Sequence, residues 1–142
     1  MGVTMRFQKT EASIEFGIDG FFLLRAKIAE LSGKEWGDHY AKLANAPMFG
    51  ERAVDFYGAF ENKTERLLKA GAVSPNIASF CLQSDCGGEI PCDACREVLD
   101  VIGDYDDDIL YGYVGKPDCA RIRDFKQLLQ ECVDNNSGLE WD

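Results

Sequence analysis

Apolar residues recur every third or fourth position over most of this chain, and every second position at only a few places. The first alternating stretch is Ser13-Ile14-Glu15-Phe16, which predicts a short strand. Phe21, Leu24, Ile28 and Leu31 then fall on one face of a helix, with Asp19 placed to cap it. Gly33 follows that stripe and predicts its end. Ser32 and Glu35 form a capping-box pair that would launch a second helix, with Trp36, Tyr40 and Leu43 on its apolar side. Pro47 and Gly50 mark a turn.

The spacing next predicts one long helix over 51–70, its face made by Ala53, Phe56, Tyr57, Phe60, Thr64, Leu67 and Leu68. Gly58 weakens it by about 1 kcal/mol relative to alanine and marks where a break would fall. Gly71 is placed to stop it. After Ser74-Pro75, the run Ile77 to Leu82 is short and apolar, and reads as a buried strand. Pro91 suits the first turn of a further helix, which Cys95, Val98, Leu99 and Ile102 continue. A last helix is predicted from about Asp118 to Val133, with Ile122, Phe125, Leu129 and Cys132 on its face. Leu139 to Trp141 would close the chain as a strand. The sum is a mostly helical α+β domain over 1–142, with about five helices on the faces of a small sheet of about three strands. No repeat or low-complexity linker divides it.

A hydrophobic share of 46% is enough to fill a core and argues against disorder. Purely apolar stretches are short, as in Phe21-Phe22-Leu23-Leu24, so no membrane helix is expected. The opening MGVTMRFQK lacks the apolar centre of a signal peptide, and Arg6 stands where a myristoylation signal needs serine or threonine. A cytoplasmic setting is therefore expected. There the triplets Asn62-Lys63-Thr64 and Asn135-Asn136-Ser137 carry no glycan. The six cysteines are then thiols or metal ligands rather than three disulfides.

Charge narrows the partners. The net charge is −10, and the window from Asp85 to Asp108 holds nine acids against one base, Arg96. Such a surface repels phosphate backbones, so no direct nucleic-acid contact is expected, while a basic protein surface would be attracted. The predicted contact residues are Asp104, Asp106, Asp107 and Asp108 with Tyr111 and Tyr113, since tyrosine gives contact area at low entropic cost. The alternative is that the aromatic stretch Ile109 to Val114 covers the core. Asp104, Asp106 and Asp108 alternate as in a calcium loop, but Ile109 and Gly115 occupy the positions that need glycine and glutamate.

The segment SDCGGEIPCDAC, Ser84 to Cys95, holds half of the cysteines. Cys86, Cys92 and Cys95 could form most of a zinc set, with Cys119 or Cys132 completing it. Cys92-Asp93-Ala94-Cys95 at a helix start also superficially resembles the thioredoxin arrangement, although Asp93, Glu89 and Glu97 oppose a thiolate there. The simpler expectation is burial: Cys81, Cys95, Cys119 and Cys132 all lie on apolar stripes, and Gly87-Gly88 turns the chain. His39, the single histidine, borders the Trp36–Leu43 face, and a Cys–His pair would have to bring it to a distant thiol. No P-loop, dinucleotide fingerprint or nucleophile elbow is present.

From about Phe80 to Trp141 the chain resembles a group of small uncharacterised bacterial proteins, some carried by phages or other mobile elements. The shared features are Ser84-Asp85-Cys86 followed by Gly88-Glu89, a helix with Cys95, and a last helix leading into a short apolar end. Gln83 stands where members often have histidine, and Gly87 where they often have an acid. The resemblance implies a bacterial or phage cytosolic setting. The leading expectation is a non-enzymatic acidic module that binds a basic protein, such as a phage or mobile-element inhibitor of a host protein, with no cofactor. The alternative is a zinc-binding or thiol-redox protein using Cys86, Cys92 and Cys95. A small-molecule pocket between helices and sheet is a third possibility that the sequence does not address.

Overall fold

The computed structural model describes residues 2–7, 13–111 and 120–142. Strand β1 (Gly2–Phe7) is the hub of a four-stranded antiparallel sheet. It pairs on one side with β2 (Ser13–Gly17) and on the other with β4 (Leu139–Trp141), and β4 in turn takes the short β3 (Gly88–Ile90). The order is therefore β2-β1-β4-β3. Register places Val3 opposite Phe16 and Met5 between Ile14 and Trp141, so one face is apolar. The helices cover this face. The opposite face holds the half-exposed Thr4, Arg6, Glu15 and Glu140, with Arg6 bridging Glu140 at 3.0 Å and Asp142 at 2.9 Å.

Six α-helices are described: α1 (Ile18–Ser32), α2 (Lys34–Ala41), α3 (Gly50–Lys69), α4 (Pro75–Leu82), α5 (Cys92–Ile102) and α6 (Ile122–Asp134). A 3-10 turn, Lys42–Asn45, follows α2. The mostly helical α+β class is as the sequence predicts, with one more strand and one more helix than expected. Strand β1 was not anticipated, although Val3 and Met5 alternate with Thr4 and Arg6.

The largest departure is Ile77 to Leu82, which is helix rather than strand. The Ser74 hydroxyl accepts the Ile77 N–H at 3.2 Å and Pro75 occupies the first helical position, so the start signals outweigh the apolar run. Two predicted caps are absent. Gly17 precedes α1, with Asp19 inside its first turn, and the Ser32 hydroxyl donates to the Ala29 carbonyl at 2.8 Å instead of capping α2. Helix α3 runs unbroken through Gly58. Helix α6 starts at Ile122, and Asp124 accepts the Arg121 N–H at 3.0 Å; Asp118 lies outside the described residues.

The core is aromatic. Phe21 meets Phe16, Phe80 and Trp141, while Phe125 packs on Phe16 and Phe80, with ring centroids 5.7–6.5 Å apart. Glycines permit close approach at two places. A Cβ on Gly88 would come 2.3 Å from the Trp141 indole, and one on Gly37 would come 2.8 Å from the Glu30 backbone, where α2 crosses α1. No helix among the described residues is long and apolar enough to cross a membrane.

Candidate functional site

The cysteine segment resolves into a connector. Gln83 closes α4 onto the sheet: its amide donates to the Glu89 carbonyl at 2.7 Å and accepts the Glu89 N–H at 2.9 Å. Ser84 accepts the Cys86 N–H on its hydroxyl and the Trp141 indole N–H on its carbonyl, at 3.0 and 2.9 Å. Cys86 is exposed on this turn, Cys92 is half-buried at the start of α5, and Cys95 is buried. Among the described residues, no group of three or more His, Cys, Asp or Glu side chains is placed to hold a metal ion. Cys95 faces Cys132 of α6 instead, and their hydrogen bond together with burial holds the Cys132 thiol well above its ordinary range. The burial expected of Cys81, Cys95 and Cys132 is what the structure shows, while the turn carries Cys86 outward. Cys119 lies outside the described residues.

The acidic residues are organised by side chains the sequence reading passed over. Arg123 of α6 pairs with Asp106 at 3.2 Å and Asp108 at 2.8 Å. Asp107 turns inward, accepting the hydroxyls of Tyr105 and Tyr111 at 2.9 Å each and the Ile109 N–H at 3.1 Å. Tyr111 is therefore a core residue, 2% exposed, and not a surface anchor; burial and Asp107 raise its pKa. The exposed apolar residues of this loop are Ile109 and Leu110, beside the exposed Asp104. Tyr113 lies outside the described residues.

The most unusual chemistry sits at Arg25, which sequence reasoning missed. It stands four residues after Phe21 and three before Ile28, on the apolar stripe of α1, and a charge on that stripe was the available signal. The residue is only 6% exposed. Its guanidinium lies 4.1 Å from the Phe21 ring centroid, 5.4 Å from Trp141 and 5.8 Å from Phe80. These faces give a desolvated cation about 2 kcal/mol or more. They offer no lone pair, and Arg25 Nε and Nη2 have no hydrogen-bond partner among the described residues.

Arg25 lines a cavity of about 730 Å³ between α1, the α2 end, α3 and α4, together with Phe22, Leu43, Tyr40, Cys81 and Leu82. Burial lowers the arginine pKa, with Tyr40, Cys81 and Asp85 acting against it; a guanidinium stays charged at neutral pH all the same. Burial raises the Tyr40 pKa and pushes the Cys81 thiol up to about 11. The polar part of the wall is thus one cation beside the Tyr40 hydroxyl, a neutral thiol and the carboxylates of Asp19 and Asp85, with Tyr57 and apolar side chains making up the rest.

His39 forms a second enclosed polar centre. Its ring stacks on Phe60 at 4.0 Å, and Nε2 lies 2.8 Å from the Thr64 hydroxyl, which itself donates to the Phe60 carbonyl at 2.8 Å. Thr64 must then accept from His39, which places a proton on Nε2. No thiol takes part in this hydrogen-bonded set.

No protein-family model matches the chain, and no curated protein or solved structure matches it. Function therefore has to be argued from these sites alone.

Proposed function

We propose that this protein is a binding protein for a small amphipathic anion, taken up with its charged head on Arg25 and its apolar body against Phe22 and Leu43. The observation that carries this is the buried Arg25 guanidinium, which bonds the Tyr40 hydroxyl yet leaves Nε and Nη2 without a partner among the described residues, beside a cavity of about 730 Å³. Enclosing a charge costs several kcal/mol, and the ring faces with one hydrogen bond to Tyr40 offset only part of that. A carboxylate supplies what the rings lack, because it accepts two parallel N–H bonds from the guanidinium fork. The cavity lies within the size range of small-molecule sites, and its few polar groups converge. The thiol within reach is held protonated, which suits binding more than nucleophilic chemistry. Calorimetry with decanoate and decanol tests the reading on the full chain. Decanoate is expected to bind the native protein, and Arg25→Met is expected to weaken that about tenfold or more. Decanol binding as well as decanoate would overturn it.

The loop from Asp104 to Leu110 favours a second reading, capture of a basic protein surface. Its support is the exposure of Ile109 and Leu110, 49% and 43%, next to acids that Arg123 holds in place. Lysine at Asp104 and alanine at Leu110 should abolish recovery of a basic partner by pull-down, and unchanged recovery would count against it. Asp107 is left intact in that test because it anchors Tyr105 and Tyr111.

A further inference from the structure

The Arg25 cavity does not end at its own walls. Leu43, Tyr57 and Leu82 line it, and the same three residues line a second cavity of about 480 Å³. The two are one groove with Tyr57 and Leu82 at its waist. Beyond the waist the groove follows α3 from Tyr57 to Glu65, about 12 Å of helix at the usual rise.

The chemistry changes along its length. At the inner end stands Arg25, bonded to the Tyr40 hydroxyl and with Nε and Nη2 unpartnered among the described residues. Past Tyr57 the surface comes from Leu43, Phe60 and Leu82, and the one hydroxyl there, Thr64, already donates to the Phe60 carbonyl and pairs with His39. That stretch therefore asks nothing polar of an occupant. The outer rim carries Glu61 and Glu65, both exposed. A second anionic group arriving there would meet like charge.

Resting on the Arg25 reading, we infer that the ligand class is a long-chain monocarboxylate, whose hydrocarbon tail leaves the Arg25 cavity between Tyr57 and Leu82 and lies along α3. The head is set by the guanidinium, the length by the groove, and the single charge by Glu61 and Glu65. A short acid fills the inner cavity alone, and each further methylene is taken out of water by the outer groove.

The test is a calorimetric series on the full chain with butanoate, octanoate, decanoate and dodecanoate, plus decanedioate. Affinity should rise about fourfold per methylene while the groove fills. Decanedioate should bind more weakly than decanoate. Leu82→Glu, a change at an exposed position of the waist, should flatten the rise from butanoate to dodecanoate. The inference is overturned by a flat native series, by an unchanged slope in Leu82→Glu, or by decanedioate binding as tightly as decanoate. A short apolar peptide with a free C-terminal carboxylate that displaces dodecanoate at lower concentration would assign the groove to a chain end and also overturn it. A flat series that still depends on Arg25 sinks the tail alone. A rising series indifferent to Arg25→Met sinks the head-group reading alone. No binding by any member sinks both.

Discussion

Arg25 and His39 are both packed against aromatic rings, and Arg25 Nε and Nη2 and His39 Nδ1 have no hydrogen-bond partner among the described residues. They differ in what protons do to them. Arg25 is a permanent cation, and its free N–H groups need an acceptor at every pH. His39 can shed its charge, and burial, with Lys42 and Lys63 nearby, lowers its pKa below the ordinary value. The unfolded chain, with histidine near 6.5, then takes up the proton first as pH falls. The His39 contribution to stability is thus complete above about pH 6.5 and is lost on acidification below it. Urea unfolding at about pH 7 and pH 5 should show the native protein losing more stability than His39→Gln, whose amide can still donate to Thr64. Parallel losses in the two proteins would show that His39 does not titrate as described. The two residues differ in how visible they are in the sequence. His39 was visible as a core-bordering histidine, whereas Arg25 was absorbed into the stripe of its neighbours.

Elements follow their start signals more than their apolar content. In α4 the run Ile77 to Leu82 fits a strand by composition, yet Ser74 and Pro75 commit it to helix. Replacing Ser74 by alanine should cost about 1 kcal/mol in urea unfolding, the usual worth of such a cap. A loss near zero would mean that packing of Ile77 and Phe80 sets the helix unaided. The helical faces of α5 and α6 were legible because their stripes are long and regular, and β4 because Leu139 and Trp141 alternate with Glu140. Strand β3 was not legible: three residues carry no period, and what makes it a strand is its pairing with β4 and the space Gly88 leaves for Trp141. The site was hidden for a related reason. Its lining is spread over four helices between Ile18 and Leu82, so no local motif announces it. The motif that does stand out, Ser84 to Cys95, serves to tie α4 to the sheet.

At the scale of the whole molecule, charge and site oppose one another. A net charge of −10 repels an anion, and Asp19 and Asp85 lie in the lining of the cavity it must enter. Screening shortens that repulsion to about 8 Å at physiological ionic strength, while the enclosed Arg25 is screened far less. The surface therefore resists small hydrophilic anions, and a ligand that also buries hydrocarbon gains from the groove what it loses on approach. The account depends on the Arg25 fork being the group that meets the ligand. Its side-chain N–H signals in isotope-labelled protein, identified by their loss in Arg25→Met, report on this directly. On addition of decanoate the Nε–H resonance should move downfield and saturate at one ligand per chain. A resonance that stays in place while the ligand binds elsewhere would contradict the account.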